Sequence, residues 1–396
     1  MKKFVLKKTH LFFVISVLTI CIAFGFYMVQ SKNSDTEIDN HEIAPELTSF
    51  QGYYRAKILE VKEGPQEYSG VSPEQVIKVQ ILSGEEKGKE LEIQHQDPTG
   101  TTVEQKNKPG DTVIIGKMQE VIGEDLSPDY LIVDKYRMPA LGLIIGIFFA
   151  LTIFLGRKRG VSSLLGLGFS IFLLTYFIVP RIISGSDPVL VSLVGSSAII
   201  LVSIFLVHGL SIRSALATIS TFITLAISAL MSIYFVPLAQ LFGLSSEEAY
   251  FIQSGLAGTV NLRGLLLAGI IIGTLGILDD VTTTQTAVVD ELHKTNPNFT
   301  LRELYIRSIS VGKEHIASLV NTLVLAYAGA ALPLFLLLTI STDQPLWIVL
   351  NSEFMAEEII RTLIGSITLI LAVPISTLLA AYYFTHSEIP KETSVA

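Results

Sequence analysis

Charge is scarce in this sequence. Asp, Glu, Lys and Arg make up 16% of the 396 residues, where a soluble chain carries about 25%. Half of the residues are hydrophobic and mean hydropathy is +0.55, so a wholly soluble protein is excluded. The single cysteine, Cys21, excludes an intrachain disulfide and a cysteine-based metal centre. The small residue that a lipoprotein cleavage box needs before its cysteine is absent from Leu18-Thr19-Ile20-Cys21, so lipidation is not expected. A basic face is missing too. Residues 31–138 hold 12 Lys+Arg against 21 Asp+Glu, and the rest of the chain holds 16 against 15. The acidity belongs to one hydrophilic insert, and a nucleic-acid partner is not expected. There is no P-loop, no G-x-S-x-G and no H-E-x-x-H. No reaction or cofactor is therefore assigned.

What is present falls into four segments. Four lysines (Lys2, Lys3, Lys7, Lys8) precede an apolar run from Leu11 to Val29. A cleaved signal peptide is one reading. The length of the run and its bulky end, Phe24-Gly25-Phe26-Tyr27, favour an uncleaved N-terminal span over 1–30. An acidic linker and a β module follow over 31–138. Between Tyr53 and Arg137 the hydrophobic period is two. Tyr54-Ala56-Ile58 with Val61, then Val76–Ile81, Leu91 with Ile93, Val113–Ile115 and Tyr130–Val133 predict five strands. Five short strands in about 85 residues fit a small OB-like barrel.

Residues 139–385 read as a seven-helix membrane domain, with a tail at 386–396. The expected spans are 139–155, 161–180, 188–207, 214–236, 262–283, 314–340 and 359–384, which makes about eight with the first. Thirteen Lys and Arg fall in segments on one side (Lys2, Lys3, Lys7, Lys8, Arg157, Lys158, Arg159, Arg213, Lys294, Arg302, Arg307, Lys313, Lys391). Only Arg181, Arg263 and Arg361 fall in the short segments on the other. The bias predicts both termini cytoplasmic and residues 31–138 extracytoplasmic. Ser245 and Glu248 have capping-box spacing for a short outer helix. Thr300 and Glu303 repeat it, with Phe299 and Leu304 placed as a staple. The helix that box opens, 301–311, reads either as interfacial, on anionic lipid, or as a plain membrane-entering helix.

The informative stretch runs from Gly264 to His293. Its apolar part, 264–278, would be about 22 Å of helix, shorter than the roughly 30 Å hydrocarbon core. Extending it either way draws Asp279 and Asp280, or Asn261 and Arg263, to membrane depth; a thinned bilayer is the other solution. Gly269, Gly273 and Gly276 are placed for close helix packing. Asp279, Thr283, Thr286 and Asp290 share one helical stripe, with Asp280, Thr284, Ala287 and Glu291 beside it. Carboxylates and hydroxyls on one face suit a hard cation or a proton relay. The next span adds Glu314, His315, Ser318 and Asn321, so that Asp279, Asp280, Glu314 and His315 are expected to meet. The alternative is that Asp280 caps a following helix and that Glu314 and His315 are ordinary boundary residues in water.

The architecture, with Gly276-Ile277-Leu278-Asp279-Asp280-Val281-Thr282 followed by Gln285 and Asp290-Glu291-Leu292, resembles the YibE/F-like family of bacterial multipass membrane proteins. The resemblance implies a bacterial plasma-membrane protein, carries no established activity, and supports Asp279 and Asp280 as the positions to test. The expected function is a transporter or permease for a small ion or small molecule, working within the lipid bilayer. Its candidates are Asp279, Asp280, Thr283, Gln285, Thr286, Asp290, Glu314, His315 and Asn321. The alternative is an envelope sensor or assembly protein whose β module binds an extracytoplasmic ligand or protein. An intramembrane aspartyl protease is disfavoured, because Asp279 and Asp280 are adjacent and point about 100° apart on a helix.

Overall fold

The computed structural model of the protein describes residues 50–63, 75–95, 107–118, 130–255, 260–340 and 345–386. The expected N-terminal span, the linker up to residue 49, Cys21 and the tail from residue 387 lie outside them. The described residues divide into two compact units, with the boundary along the chain between Leu151 and Thr152.

The first unit is built on alternation. The five strands predicted from the period of two are all present: β1 Phe50–Glu63, β2 Gln75–Ile81, β3 Glu90–His95, β4 Thr112–Met118 and β5 Tyr130–Lys135. They form one antiparallel sheet in the order β3-β2-β1-β4-β5. The 14-residue β1 serves two halves of the sheet. Its first half pairs with β4 and its second with β2, with a register shift between Ile58 and Glu60. A bulge bends a strand and raises its twist, so the sheet curls into a half-barrel. Ala56, Ile58, Ile77, Val79, Ile81, Ile93, Val113, Ile115 and Tyr130 fill its concave face. After β2 the chain turns through Gly84 at φ +80°, where a Cβ would strike the Tyr54 ring at 2.7 Å.

One polar knot ties that turn to the sheet. Glu86 accepts hydrogen bonds from Tyr130 Oη at 2.6 Å, Lys117 Nζ at 2.9 Å and Lys89 Nζ at 2.9 Å. These donors, the Tyr130 hydroxyl first, hold the Glu86 carboxyl down at about 2. Burial first, and then the bond to Glu86, pushes the Tyr130 phenol up to about 12.

The second unit is a helix bundle. The helices are α1 Met138–Ile183, α2 Pro188–His208, α3 Ile212–Leu238, α4 Glu247–Gly255, α5 Leu262–Thr295, α6 Leu301–Ala330, α7 Leu332–Ile340, α8 Leu346–Leu350 and α9 Glu353–His386. Helix α1 begins in the first unit and is interrupted at Arg157 (φ 48°, ψ −126°). Gly160 permits the reversal there, since a Cβ on it would run into the Thr152 carbonyl oxygen.

Five described helices are long and apolar enough to cross a membrane: α1, α2, α3, α5 and α9. This differs from the expected count of about eight. The first expected span is outside the described residues, 139–155 and 161–180 fall within the one broken α1, and 314–340 is shared by α6 and α7. The front of α6 carries Arg302, Glu303, Arg307, Lys313 and Glu314, which leaves too short an apolar remainder for a span of its own. Residues 301–311, expected as a helix ahead of the next span, are the first part of the continuous α6.

Local signals place the helix starts. Thr300 and Glu303 form the reciprocal capping box, and Phe299 packs with Leu304. Ser211 caps α3 and Asn261 caps α5. The cap expected at Ser245 shifts by one residue. Ser246 Oγ takes the Ala249 amide at 3.1 Å, while Ser245 turns to Glu357 on α9.

Helix α5 is packed by α2, α3, α6 and α9. Close approach to neighbours was expected at Gly269, Gly273 and Gly276, and the structure corrects this. A Cβ on Gly269 or Gly276 would meet nothing within 4 Å, and one on Gly273 only the Tyr327 hydroxyl at 3.2 Å. The tight approaches use other glycines. Gly264 lies against Pro188 (3.0 Å to a built Cβ), Gly195 against Ile178 (2.6 Å), and Gly312 against Val373 and Gln285.

Because the folded carboxyl of Glu86 sits below its unfolded value, its contribution is present above about pH 4.5 and fades as pH falls toward 2. Glu86→Gln is expected to lower the melting temperature of the full chain at pH 7 and to approach wild type near pH 2.5. A melting difference that is constant with pH would refute this.

Candidate functional site

The Asp279-Asp280 segment is helical throughout. Helix α5 is unbroken over 34 residues, about 51 Å at 1.5 Å per residue. Neither aspartate caps a helix, and the cap falls to Asn261, whose side chain takes the Gly264 amide at 3.1 Å. The two side chains diverge as their 100° separation requires. Asp279 is half-buried and accepts from Ser203 Oγ of α2 at 3.0 Å; its other oxygen, Oδ1, is buried without a hydrogen-bond partner. Asp280 is exposed.

The face of α5 turned to its neighbours is a seam of small polar groups. Thr274 meets Ser228 of α3 at 3.2 Å and Thr282 meets Thr221 of α3 at 2.7 Å. Gln285, 1% exposed, gives its amide hydrogens to the Ser308 carbonyl of α6 at 2.9 Å and to Thr377 Oγ1 of α9 at 2.8 Å. Thr283 donates to the Asp279 carbonyl at 2.8 Å and Thr286 to the Thr282 carbonyl at 2.7 Å. Asp290 closes the seam, held by Arg213 Nε at 3.0 Å and Lys294 Nζ at 2.7 Å. The stripe predicted from the spacing of Asp279, Thr283, Thr286 and Asp290 thus faces inward or half-inward, and the stripe of Asp280, Thr284 and Glu291 faces out.

The grouping of Asp279 and Asp280 with Glu314 and His315 is not seen. Glu314 and Asn321 are exposed on α6 and His315 is half-buried. Among the described residues no hydrogen bond or ion pair joins them to α5. Helix α6 meets α5 at Ser308 and Gly312, through Gln285, because the glycine admits the amide where a side chain would collide with it.

Two clefts open along α5. One, of about 390 Å³, is lined by Asp280, Thr283, Thr284 and Ala287 of α5, with His208, Ser211, Arg213, Ser214, Ala217 and Arg159. Asp279 stands one helical step behind this wall. The other, of about 610 Å³, lies at the opposite end of the same helix, against Leu262, Leu265, Leu266 and Gly269, with Tyr327, Phe354 and Glu357 among its walls. Between Gly269 and Asp280 the helix is packed on Ile270, Ile271, Thr274, Leu275 and Leu278, all buried.

The model of the YibE/F-like protein family matches residues 144–386. The chain belongs to the YibE/F-like family. No curated protein and no solved structure matches it. The family match begins inside α1 and ends at the last residue of α9, so the β sheet lies outside it and both clefts of this YibE/F-like chain lie inside it.

Sequence reasoning passed over Glu357, Ser245 and the Glu358–Arg361 pair. A signal was there: Glu353, Glu357 and Arg361 recur every four residues at the front of an apolar helix, one face that enters the bundle.

Gln285→Leu keeps the volume and removes two buried hydrogen bonds, to the Ser308 carbonyl and to Thr377 Oγ1. It is expected to cost about 1–3 kcal/mol, while Asp280→Asn, on an exposed face, stays within about 0.5 kcal/mol. Denaturant unfolding of the full chain in detergent separates them, and equal effects would contradict the seam.

Proposed function

We propose that the protein is a transporter or permease whose path follows α5. The observation that carries this reading is the pair of clefts along one helix, one reaching Gly269 and the other starting at Asp280, with ten residues, about 16 Å, of helix between them. A moving substrate needs access from each side to a closed middle, and that middle holds Asp279 with one unpartnered carboxylate oxygen. An ionisable group on a central membrane helix is costly and marks ion or proton pathways. In this reading Asp279 is the site that a proton or small cation neutralises, and Thr283 and Asp280 lead to it from the Asp280 cleft. Asp290 is already compensated by Arg213 and Lys294 and serves as an anchor.

The finer topology belongs to the same proposal: about eight spans in a bacterial plasma membrane, both termini in the cytoplasm, and an OB-like barrel outside. The Lys and Arg bias supports the orientation, and the strand order, with β3 in contact with β5, supports the barrel. A second reading, an envelope sensor or assembly protein, is favoured by one observation. The sheet order ends in β3 and β5, and a strand at the end of a sheet is where a partner's strand can be added.

Proton flux in liposomes with an entrapped pH dye and an imposed potential tests the first reading. Asp279→Asn is expected to slow dissipation at least tenfold, and Asp280→Asn to stay within twofold. A wild-type protein that moves no protons, or an Asp279→Asn protein that matches it, overturns the proton-coupled form.

A further inference from the structure

The cleft at the Glu357 end combines a buried carboxylate with an apolar wall. Glu357 is 2% exposed. One of its oxygens, Oε2, accepts from Ser245 Oγ, and the other, Oε1, is buried with no hydrogen-bond partner. Such an oxygen is expensive to leave unmatched. The nearby ionic groups do not match it. Arg361 is paired with Glu358 one turn on, and Glu353 accepts the Phe242 amide at 2.7 Å. Across the lining, two carboxylates, Glu357 and Glu358, face one guanidinium, Arg361. The net charge is minus one.

That charge selects a single positive charge. A hard divalent cation such as Ca2+ or Mg2+ would want six or more oxygen ligands, more than Glu357 and Glu358 offer. The rest of the lining selects the body of the ligand. Leu262, Leu265, Leu266, Pro333, Leu334 and Phe354 are apolar, and the volume of about 610 Å³ is that of a small-molecule pocket. Tyr327 and Phe354 add aromatic rings, which attract ammonium groups through their faces.

We infer that this cleft binds an amphipathic organic ammonium ion, its charged nitrogen on Glu357 Oε1 and its apolar body against α5 and α7. The inference rests on the transport reading for its biological sense, since it names the class of substrate that would enter at this end, but the binding stands by itself.

The test is calorimetric titration of the full-length protein in lipid nanodiscs with 2-phenylethylammonium, with neutral 2-phenylethanol as control. Wild type is expected to bind the ammonium at least tenfold more tightly than the alcohol. Glu357→Gln is expected to erase that preference. Glu357 is buried, so a second variant guards against misfolding. Gly269→Leu enters a position where a Cβ meets nothing within 4 Å, and it is expected to fill the cleft and abolish binding with the helical circular dichroism unchanged. Equal affinity for ammonium and alcohol, retained preference in Glu357→Gln, or retained binding in folded Gly269→Leu would each overturn the assignment. Binding in a protein that moves nothing would keep this site and remove the transport reading; flux without binding would do the reverse.

Discussion

Helix α5 is about 51 Å long, is packed by four other helices and is apolar enough to cross a membrane, whose hydrocarbon core is about 30 Å thick. Its polar half therefore begins inside the bundle, and every polar group there has to be matched by protein. The neighbours are built around that need. The face of α3 that packs on it carries Thr218, Thr221, Thr224, Ser228 and Ser232, all buried, and α9 supplies Thr368, Ser376 and Thr377. Hydroxyls suit this role because each can return its hydrogen to its own helix. Thr221 donates to the Ala217 carbonyl, Ser376 to Ala372 and Thr377 to Val373. A bundle made this way packs polar side chains closely with no net charge.

The ionised groups then sort by whether something answers them. Asp290 has two cationic partners and reads as a structural tie between α3 and α5. Asp279 and Glu357 each keep one buried oxygen unanswered. His293, also buried, has neither ring nitrogen paired and lies against the Phe384 ring at 5.9 Å. It behaves as an aromatic filler within the apolar cluster of Leu216, Val289, Leu304 and Ala380. Burial without pairing is thus weaker evidence of function for an imidazole stacked on an aromatic ring than for a carboxyl group, whose unmatched oxygen is costly to bury.

Local patterns were readable from the sequence and long-range pairings were not. The period of two located all five strands because a half-buried sheet imposes it. The Thr300–Glu303 box was legible because both partners lie within one turn. The inward stripe of α5 followed from helical spacing alone. Ser245 shows the opposite case. Its spacing to Glu248 suggested a cap, yet its hydroxyl serves Glu357, 112 residues away, and nothing in local sequence encodes that choice. Gly269 and Gly276 of α5 failed as packing signals for a related reason. Spacing tells which residues share a face but not whether another helix covers it, and here that face borders a cleft at Gly269. Glu314 and His315 illustrate the same limit, since equal depth on two helices does not bring side chains to facing surfaces.

The seam also bears on how such a bundle could move. For two packed helices to shift, the bonds between them have to be exchanged without leaving buried polar atoms bare. Thr274 has alternative acceptors in the Ile270 and Ile271 carbonyls, Thr221 has the Ala217 carbonyl, and Thr282 lies 3.4 Å from that of Asp279. When the Thr221–Thr282 and Ser228–Thr274 bridges open, three of the four hydroxyls already have a partner on their own helix. An ion pair in those positions would lock α3 to α5, as Arg213 and Asp290 do at one end. Hydroxyl pairs instead make a small shear motion inexpensive across the stretch that separates the two clefts. The middle of α5 is therefore held by packing and by hydrogen bonds that its hydroxyls can exchange for carbonyls of their own helices.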